Sequence, residues 1–170
     1  MTTLHARVDS VLGELTLVTD GQAVTGLYFA HHWYRPATDT FGQEVDVDAD
    51  DLLAETKTQL TDYLGGHRTH FELPIAMHGD DMRRRVWHRL TAIDYGETIT
   101  YGELAAELAD GRSAQEIGQA VGRNPLSIIV PCHRVVGKNG SLTGYAGGLK
   151  RKQFLLDLEE PAESRAARLF

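Results

Sequence analysis

The residues with the clearest chemical potential are a cysteine and the histidine that follows it directly. Cys132 is the one cysteine in a chain of 170 residues, and it lies within the apolar segment IIVPCHRVVG. A buried cysteine of this kind commonly serves as a small core hydrophobe. A thiol that loses its proton to a neighbouring base is instead a soft nucleophile. His133 is such a base, so the segment predicts nucleophilic chemistry at sulfur, with core packing as the alternative.

The single cysteine also limits the other chemistry open to the chain. One thiol can form neither an internal disulfide nor a zinc site built from thiolates, and nothing in the sequence suggests a cofactor. The N-terminus lacks the charged and apolar regions of a secretory signal, and no stretch has the apolar length of a membrane span. We therefore expect a cytoplasmic protein without metal, cofactor or membrane association.

Charge is distributed unevenly along the chain. The formal net charge is −7, and residues 1–78 hold four Lys and Arg against twelve Asp and Glu. Residues 79–170 hold thirteen against twelve, so the acidic excess lies in the first half. Overall acidity argues against a general nucleic-acid binder, while the second half leaves room for a local basic surface. A chance fluctuation of surface charge explains the same counts nearly as well.

The first half has the pattern of an α/β domain. Apolar alternation over residues 4–30, broken at VLGE and DGQA, predicts short strands joined by tight turns. Residues 31–50 lack periodicity, and we expect a solvated acidic loop there. An amphipathic helix follows, with Asp50 or Asp51 as its N-cap. We place a domain boundary between residues 76 and 77.

The second half has a mainly helical pattern. Apolar residues at helical spacing include Trp87, which we expect in the core. Two short helices follow, each opened by a capping box, Thr100 with Glu103 and Ser113 with Glu116. Their glycine-containing turn makes them a helix-turn-helix candidate, although many helix pairs share that pattern. NPLSIIVPCHRVVG is expected to form a loop and a buried extended segment, and KRKQFLLDLEE a final amphipathic helix.

Several motifs stand together at specific spacings. NPLSIIVPCHRVV is preceded by YGELA and followed by GSLTGYAGG and LLDLE. Together they resemble the O6-alkylguanine-DNA alkyltransferases, also called methylated-DNA–protein-cysteine methyltransferases. The resemblance is close from Asp81 to Glu159 and looser elsewhere. It implies an α/β ribonuclease H-like domain, with an antiparallel sheet and a helix, over residues 1–76, and a mainly α winged helix-turn-helix domain over residues 77–170.

The resemblance implies repair of DNA by direct reversal of damage. An alkyl group moves from guanine O6 in double-stranded DNA to the sulfur of Cys132. The protein is consumed, because the thioether that forms has no carbonyl for water to attack. His133 is then the base, Glu159 of the LLDLE motif orients it, and Asn124 links the turn to the active-site loop by hydrogen bonds. We expect a monomer, with cooperative assembly along DNA left open.

The resemblance also implies which residues handle the target nucleotide. A buried cysteine cannot meet guanine O6 inside a stacked duplex, so the nucleotide has to be flipped out. The family's helix-turn-helix enters the minor groove and uses small residues for close approach, here Ala114, Gly118 and Ala120. Tyr101 matches the tyrosine that helps to rotate the nucleotide and contacts the extruded base. The pocket is completed by a wall tyrosine, two residues with main-chain contacts and a loop glycine: Tyr145, Val135, Ala146 and Gly147.

One position departs from the family pattern. The recognition helix usually carries an arginine that enters the duplex and pairs with the orphaned base, and Gln115 stands in its place. Glutamine keeps hydrogen-bonding capacity but lacks the charge, length and stacking plane of a guanidinium group. We therefore predict weaker DNA binding or poorer extrusion with the chemistry intact. Arg112 and the candidate DNA-binding residue Arg123 are available to compensate, although neither occupies the matching helical position.

Two other functions are compatible with parts of the sequence. A non-catalytic alkyltransferase-like protein would recognise the same lesions, but such proteins typically lack the cysteine that this chain retains. A cysteine hydrolase would turn over repeatedly and would need an oxyanion hole, and the chain shows no hydrolase signature. An active alkyltransferase is therefore the leading hypothesis.

Overall fold

The N-terminal strands form where short apolar and β-branched runs are interrupted by tight turns. The computed structural model describes residues 2–161 and 163. Within these residues, one sheet has the spatial order β3-β2-β1-β4 and contains β1 (Leu4–Val8), β2 (Leu15–Thr19), β3 (Val24–Phe29) and β4 (Gln43–Glu44). The pairs β1–β2 and β2–β3 are antiparallel, as predicted.

Helix α1 (Asp51–Leu64) packs against this sheet. The Asp50 carboxylate caps the helix by accepting a hydrogen bond from the Leu53 amide at 2.9 Å. The buried residues of α1 join the main core, which continues into the second half of the chain. A separate small cluster contains Val18 and Tyr28 of the sheet together with Phe41. All five residues of β2 are buried.

The segment over residues 31–50 is more ordered than the solvated loop that the sequence predicts. It contains 3-10 turns at Thr38–Phe41 and Val47–Ala49, and the short strand β4. The sheet departs from antiparallel pairing at this edge, because β4 runs parallel to β1. The order depends on distant partners: Phe41, for example, is buried against the ring of Tyr28. Periodicity within the segment carries no sign of such contacts.

The C-terminal part is mainly helical, as predicted. It contains α2 (Asp81–Leu90), α3 (Tyr101–Leu108), α4 (Ala114–Gly122) and α5 (Leu149–Glu159). Both predicted capping boxes are confirmed, at the starts of α3 and α4. Trp87 is a core residue, and its indole N–H donates to the Ala120 carbonyl at 2.8 Å, which fixes α2 against α4. No helix of the described residues is long and apolar enough to cross a membrane.

The segment around Cys132 differs from the expected extended conformation. Residues Cys132–Arg134 form a 3-10 turn directly before β6 (Val135–Val136), which pairs in parallel with β5 (Ile99–Thr100). Ile128, earlier in the segment, has a φ of 72°, in the left-handed region. An extended chain would send the Cys132 and His133 side chains to opposite faces, whereas a 3-10 turn does not. The predicted second domain ends in residues 162 and 164–170, which lie outside the described residues.

Hydrogen bonds join the N-terminal sheet to the C-terminal part. The Leu27 amide at the centre of β3 donates to the Pro125 carbonyl at 2.8 Å. The Arg151 guanidinium group of α5 donates to the Leu12 carbonyl at 2.9 Å. The active-site segment that follows Pro125 is therefore held against the sheet.

Candidate active site

Cys132 lies at a cavity of about 440 Å³ that opens between α3, α4 and the loop before α5. The thiol is 4% exposed, so small reactants must enter the cavity to reach it. Burial raises the pKa of the Cys132 thiol, against the lowering effects of a hydrogen bond with Asn124 and of the nearby Lys152 charge. The thiol therefore rests in its protonated form and needs a base to become a nucleophile.

Asn124 holds the backbone that leads to Cys132. Its side-chain amide donates to the Val130 carbonyl at 2.8 Å, and its side-chain oxygen accepts from the Leu126 amide at 2.9 Å. These bonds close the loop over residues 124–130 onto itself at a buried position. The hydrogen bonds that the family resemblance implies for Asn124 are thus present, and its part in the reaction stays a prediction.

His133 and Glu159 form a buried pair. Nε2 of His133 lies 2.8 Å from Oε2 of Glu159. Burial alone would raise the pKa of Glu159, but hydrogen bonds from His133 and Arg134 lower it to about 2. An ionised carboxylate can only accept, so the pair places a proton on Nε2 of His133. The predicted partnership of a histidine with the glutamate of the LLDLE motif is therefore geometrically sound.

The other ring nitrogen of His133 is open. Nδ1 is buried and has no hydrogen-bond partner among the described residues. Burial lowers the pKa of His133, although Glu159 opposes the effect, so the ring is neutral and Nδ1 carries a lone pair. A neutral imidazole fixed at Nε2 and unpaired at Nδ1 has the form of a general base.

Two donors to Glu159 have no counterpart in the sequence prediction. Arg134 donates from Nε to Oε1 at 2.7 Å and from Nη2 to Oε2 at 2.9 Å, and its Nη1 donates to the Ile93 carbonyl at 2.6 Å. Tyr63 of α1 donates its hydroxyl to Oε2 of Glu159. Arg134 belongs to the PCHRV motif and was within reach of sequence reasoning. Tyr63 lies 96 residues from Glu159, and no local pattern connects them.

Lys152 is a third residue that sequence reasoning missed. Its side chain is fully buried, and Nζ donates to the carbonyls of Val135 at 2.6 Å, Thr143 at 3.0 Å and Gly144 at 3.2 Å. Burial lowers the pKa of Lys152 to about 8, against the opposing effect of Cys132. The ammonium group thus ties β6 to the cavity loop and places positive charge near the sulfur. A lysine on the buried face of an amphipathic helix was the available signal.

Three of the five predicted pocket residues line the cavity, whereas Val135 and Gly147 lie outside its lining. Tyr101 and Tyr145 line the cavity with Ala146, and the Tyr101 hydroxyl donates to the Thr143 carbonyl at 3.2 Å. Burial, with a smaller effect of Cys132, raises the pKa of Tyr101 to about 12, so its phenol stays neutral. Val135 is fully buried outside the cavity lining, and its carbonyl accepts from Lys152.

Gly147 supports the pocket from behind. A Cβ atom at this position would lie 2.4 Å from Cδ2 of Phe29, which belongs to β3. Only a residue without a side chain lets the cavity loop approach the sheet this closely. The predicted shaping role of Gly147 therefore has a concrete cause, in a contact with the N-terminal domain.

Helix α4 forms one side of the cavity mouth. Ala114, Gln115 and Gly118 all line it, whereas Ala120, the third small residue expected to approach DNA, is buried in the core. A Cβ atom at Gly118 would lie 3.5 Å from the Tyr101 ring, which is an ordinary contact, so packing inside the protein does not require glycine there. The side chain of Gln115 makes no hydrogen bond to any described residue. Ala114, Gly118 and Gln115 thus face the space in which a ligand would lie.

The two arginines considered as substitutes for the missing one have other partners. Arg112 pairs with Asp110 at 3.3 Å and with Glu116 at 3.5 Å. The Arg123 guanidinium carbon lies 4.1 Å from the centroid of the Tyr34 ring. Trp33 and Tyr34, from the segment after β3, also line the cavity, and sequence reasoning missed both.

Both halves of the chain are similar in sequence to known proteins. The family model "6-O-methylguanine DNA methyltransferase, ribonuclease-like domain" matches residues 3–77, and "6-O-methylguanine DNA methyltransferase, DNA binding domain" matches residues 81–161. A methylated-DNA–protein-cysteine methyltransferase of Mycobacterium bovis is 39% identical over 158 residues, which is 92% of this chain and 93% of the relative. The constitutive methylated-DNA–protein-cysteine methyltransferase of Bacillus subtilis is 37% identical over 160 residues, or 91% and 94% of the two chains.

Solved structures agree. The crystal structure of Mycobacterium tuberculosis OGT in complex with DNA matches with a TM-score of 0.83 and 38% identity, over 95% of this chain and 97% of that one. The fold and the site define a protein with a ribonuclease-like domain and a DNA-binding domain that buries one cysteine beside its helix pair. The chain belongs to the 6-O-methylguanine DNA methyltransferase family.

Proposed function

We propose that this protein repairs O6-alkylguanine in double-stranded DNA by moving the alkyl group to Cys132, once per protein molecule. One observation carries the proposal. The cavity that opens beside α4 ends at a buried thiol, and the next residue is a neutral imidazole with an open nitrogen. A non-catalytic lesion binder needs no groups that remove a proton from a thiol. The chain retains such a proton relay, formed by Cys132, His133 and Glu159, which disfavours that alternative.

The reaction begins with activation of the thiol. His133 takes the proton from the sulfur at Nδ1, directly or through a water, and Glu159 stabilises the imidazolium through Nε2. The positive charge of Lys152 favours the thiolate over the thiol. Without this help a buried thiol with a raised pKa would remain protonated at neutral pH.

The thiolate then attacks the alkyl carbon. A carbon–sulfur bond forms as the bond between that carbon and guanine O6 breaks, and the electron pair stays on the base. A proton returned from the imidazolium, through solvent or the neutral phenol of Tyr101, restores neutral guanine. The product is a thioether, and the chain has no second cysteine to accept the group. The protein is therefore a methylated-DNA–[protein]-cysteine S-methyltransferase that acts once.

Delivery of the base requires DNA to dock on α4. A stacked guanine cannot reach a thiol at the end of a cavity, so the nucleotide is flipped into it. Ala114 and Gly118 allow the backbone of α4 to approach the minor groove, and Tyr101 lies next to Gly118 and lines the same cavity as Cys132. Gln115 fills the position of the family's arginine, so extrusion is weakened but the cavity is intact.

We also propose how the chain is divided, where it acts and in which oligomeric state it binds DNA. The chain divides between residues 76 and 77, acts in the cytoplasm, and binds DNA as a monomer. Neither the thiol nor the relay needs a metal or a cofactor for the transfer.

A direct test is mass spectrometry after incubation with a duplex that contains O6-methylguanine. We expect one added methyl group per protein molecule, on the peptide that contains Cys132, and loss of the lesion from the duplex. The Cys132→Ser variant should bind the lesion without transfer. An unmodified thiol together with an intact lesion would refute the proposal.

A further inference from the structure

Two exposed aromatic side chains of the N-terminal domain stand at the mouth of the cavity. Trp33 is 64% exposed and Tyr34 is 53% exposed, in the segment that follows β3. Both line the same cavity as Cys132. Isolated exposed apolar residues are common on protein surfaces, but a neighbouring pair at the entrance to a reactive thiol points to a ligand.

The backbone of this pair is held in place from two sides. The Trp33 amide donates to the carbonyl of Ala146, a residue of the pocket wall, at 3.0 Å. Tyr34 has a φ of 61°, in the left-handed region that residues other than glycine rarely adopt. Its ring lies under the guanidinium group of Arg123, which follows α4. The pair is thus tied to the pocket residue Ala146 and to Arg123 after α4, while Trp33 stays largely exposed.

The position of the pair matches what α4 lacks. Gln115 also lines the mouth, and it offers no flat surface on which a base can stack. An indole ring provides such a surface and accepts any base, because every base has a π-face. Gln115 and Trp33 both line the cavity that a nucleotide from a duplex on α4 would enter to reach Cys132.

We propose that Trp33 and Tyr34 form a DNA-contact site on the N-terminal domain, in which the Trp33 indole stacks on the nucleotide that enters the cavity. The proposal rests on the repair function proposed above and specifies how the extruded nucleotide is held. Tyr34 fixes Trp33 in place through its contact with Arg123. The N-terminal domain then takes part in substrate binding directly.

Tryptophan fluorescence tests the stacking contact. The chain has two tryptophans, and Trp87 is buried in the core. A change in emission when a ligand binds at the cavity mouth is therefore due to Trp33. In the Cys132→Ser variant, which holds the lesion, a duplex with O6-methylguanine should quench the Trp33 emission. An undamaged duplex of the same sequence should quench it far less. The double variant Cys132→Ser, Trp33→Phe should lose the lesion-specific quenching.

Binding is measured in parallel by the anisotropy of a labelled duplex. Lesion-specific binding without quenching would overturn the proposed contact and leave the repair function standing. Absence of lesion-specific binding, together with no methyl transfer by the unaltered protein, would overturn the repair function itself. The two failures are therefore distinguishable.

Single-turnover transfer rates provide a second test. Loss of one base–aromatic stack reduces binding by roughly tenfold or more, so Trp33→Ala should slow transfer from a subsaturating lesion duplex by about that factor. Trp33→Phe keeps an aromatic face and should retain most of the rate. Val11→Ala removes an exposed apolar side chain outside the cavity lining and should leave the rate unchanged. A wild-type rate for Trp33→Ala would contradict the proposal.

Discussion

At the scale of single residues, the site depends on how the charge of Glu159 is shared. His133, Arg134 and Tyr63 all donate to this one carboxylate. Four donated hydrogen bonds stabilise the ionised form of the carboxyl group. The carboxylate in turn keeps the proton of His133 on Nε2. The lone pair on Nδ1 follows from that arrangement. The basicity of His133 toward Cys132 is therefore set by residues that do not touch the sulfur.

The lowered pKa of Glu159 predicts a specific loss of stability in acid. Its pKa falls from an ordinary 4.5 to about 2 on folding, so the stabilisation is complete above pH 4.5 and is lost as pH falls toward 2. Between pH 6 and pH 3 this residue should contribute a loss of about 2 kcal/mol in the free energy of unfolding. Urea unfolding across that pH range measures the loss.

The Glu159→Gln variant isolates this contribution. It cannot ionise at position 159, so its unfolding free energy should fall less steeply between pH 6 and pH 3 than that of the unaltered protein. At neutral pH it should be less stable by about 3 kcal/mol, because the buried Arg134 loses its charged partner. Identical pH slopes for the two proteins would contradict the assignment.

Lys152 gives a second prediction at this scale. Lys152→Met keeps the length and apolar stem of the side chain but leaves three carbonyl groups without their donor. We expect a loss of about 1–3 kcal/mol in stability. We also expect slower methyl transfer, because the thiolate loses a nearby positive charge.

Lys150 provides the matched control. It lies on the same helix but is exposed, so Lys150→Met should leave both quantities unchanged. Thermal unfolding and single-turnover transfer rates report the two effects separately. Equal behaviour of the two variants would show that the buried ammonium group has no special role.

At the scale of elements, the sequence predicted the features whose interactions lie within a few residues of one another. Both capping boxes, at Thr100 and Ser113, formed as expected, because all their partners lie within three residues. The 3-10 turn at Cys132 and the strand β4 were not predicted. Their conformations depend on Asn124 and on the edge of β1, which periodicity within the segment does not reveal.

Helix α4 is where the sequence departs from its family, and Gln115→Arg tests the departure. An arginine at this exposed position adds one charge and a stacking plane at the cavity mouth. Affinity for a lesion duplex should rise by a few-fold to about tenfold, and the salt dependence should steepen by roughly one counterion. The transfer rate at subsaturating DNA should rise with it.

The control for this variant is Gln119→Arg, one turn further along α4. It adds the same charge at the same mouth, so it reports the purely electrostatic gain. Gln115→Arg should exceed it in lesion-specific affinity. If Gln115→Arg changes neither affinity nor transfer rate, the interpretation of position 115 is wrong.

At the scale of the whole molecule, the N-terminal domain contributes to the site. The family resemblance identified Cys132, His133 and Glu159 as candidates, because these residues belong to the PCHRV and LLDLE motifs that carry it. Trp33 and Tyr63 belong to no such motif. They reach the site only because the sheet and α1 pack against the C-terminal helices, which no pattern in one sequence encodes. The predicted division between residues 76 and 77 thus separates domains that share a site.

Tyr63→Phe measures this sharing. The substitution removes the hydroxyl that donates to Glu159 but keeps the ring, which packs against Phe71 and Tyr95. With one donor fewer, the ionised form of Glu159 is less stabilised, so the pKa of its carboxyl group rises. The carboxylate charge is then shared among fewer donors and attracts the His133 imidazolium more strongly, which raises the pKa of His133. Both effects move the acidic limb of the transfer rate to higher pH. Single-turnover rates measured from pH 5 to pH 8 give the profile.

Tyr28→Phe serves as the comparison, since Tyr28 is a buried tyrosine of the same domain in the separate cluster on the sheet. It should leave the pH profile where it is in the unaltered protein. A loss of packing alone would reduce the amount of folded protein in either variant without moving the limb, because the profile reports ionisation and not concentration. A shifted limb in Tyr63→Phe alone therefore requires that a hydroxyl of the N-terminal domain tunes the base of the C-terminal domain. An unshifted limb in a folded Tyr63→Phe variant would mean that the domains share a core but not a relay.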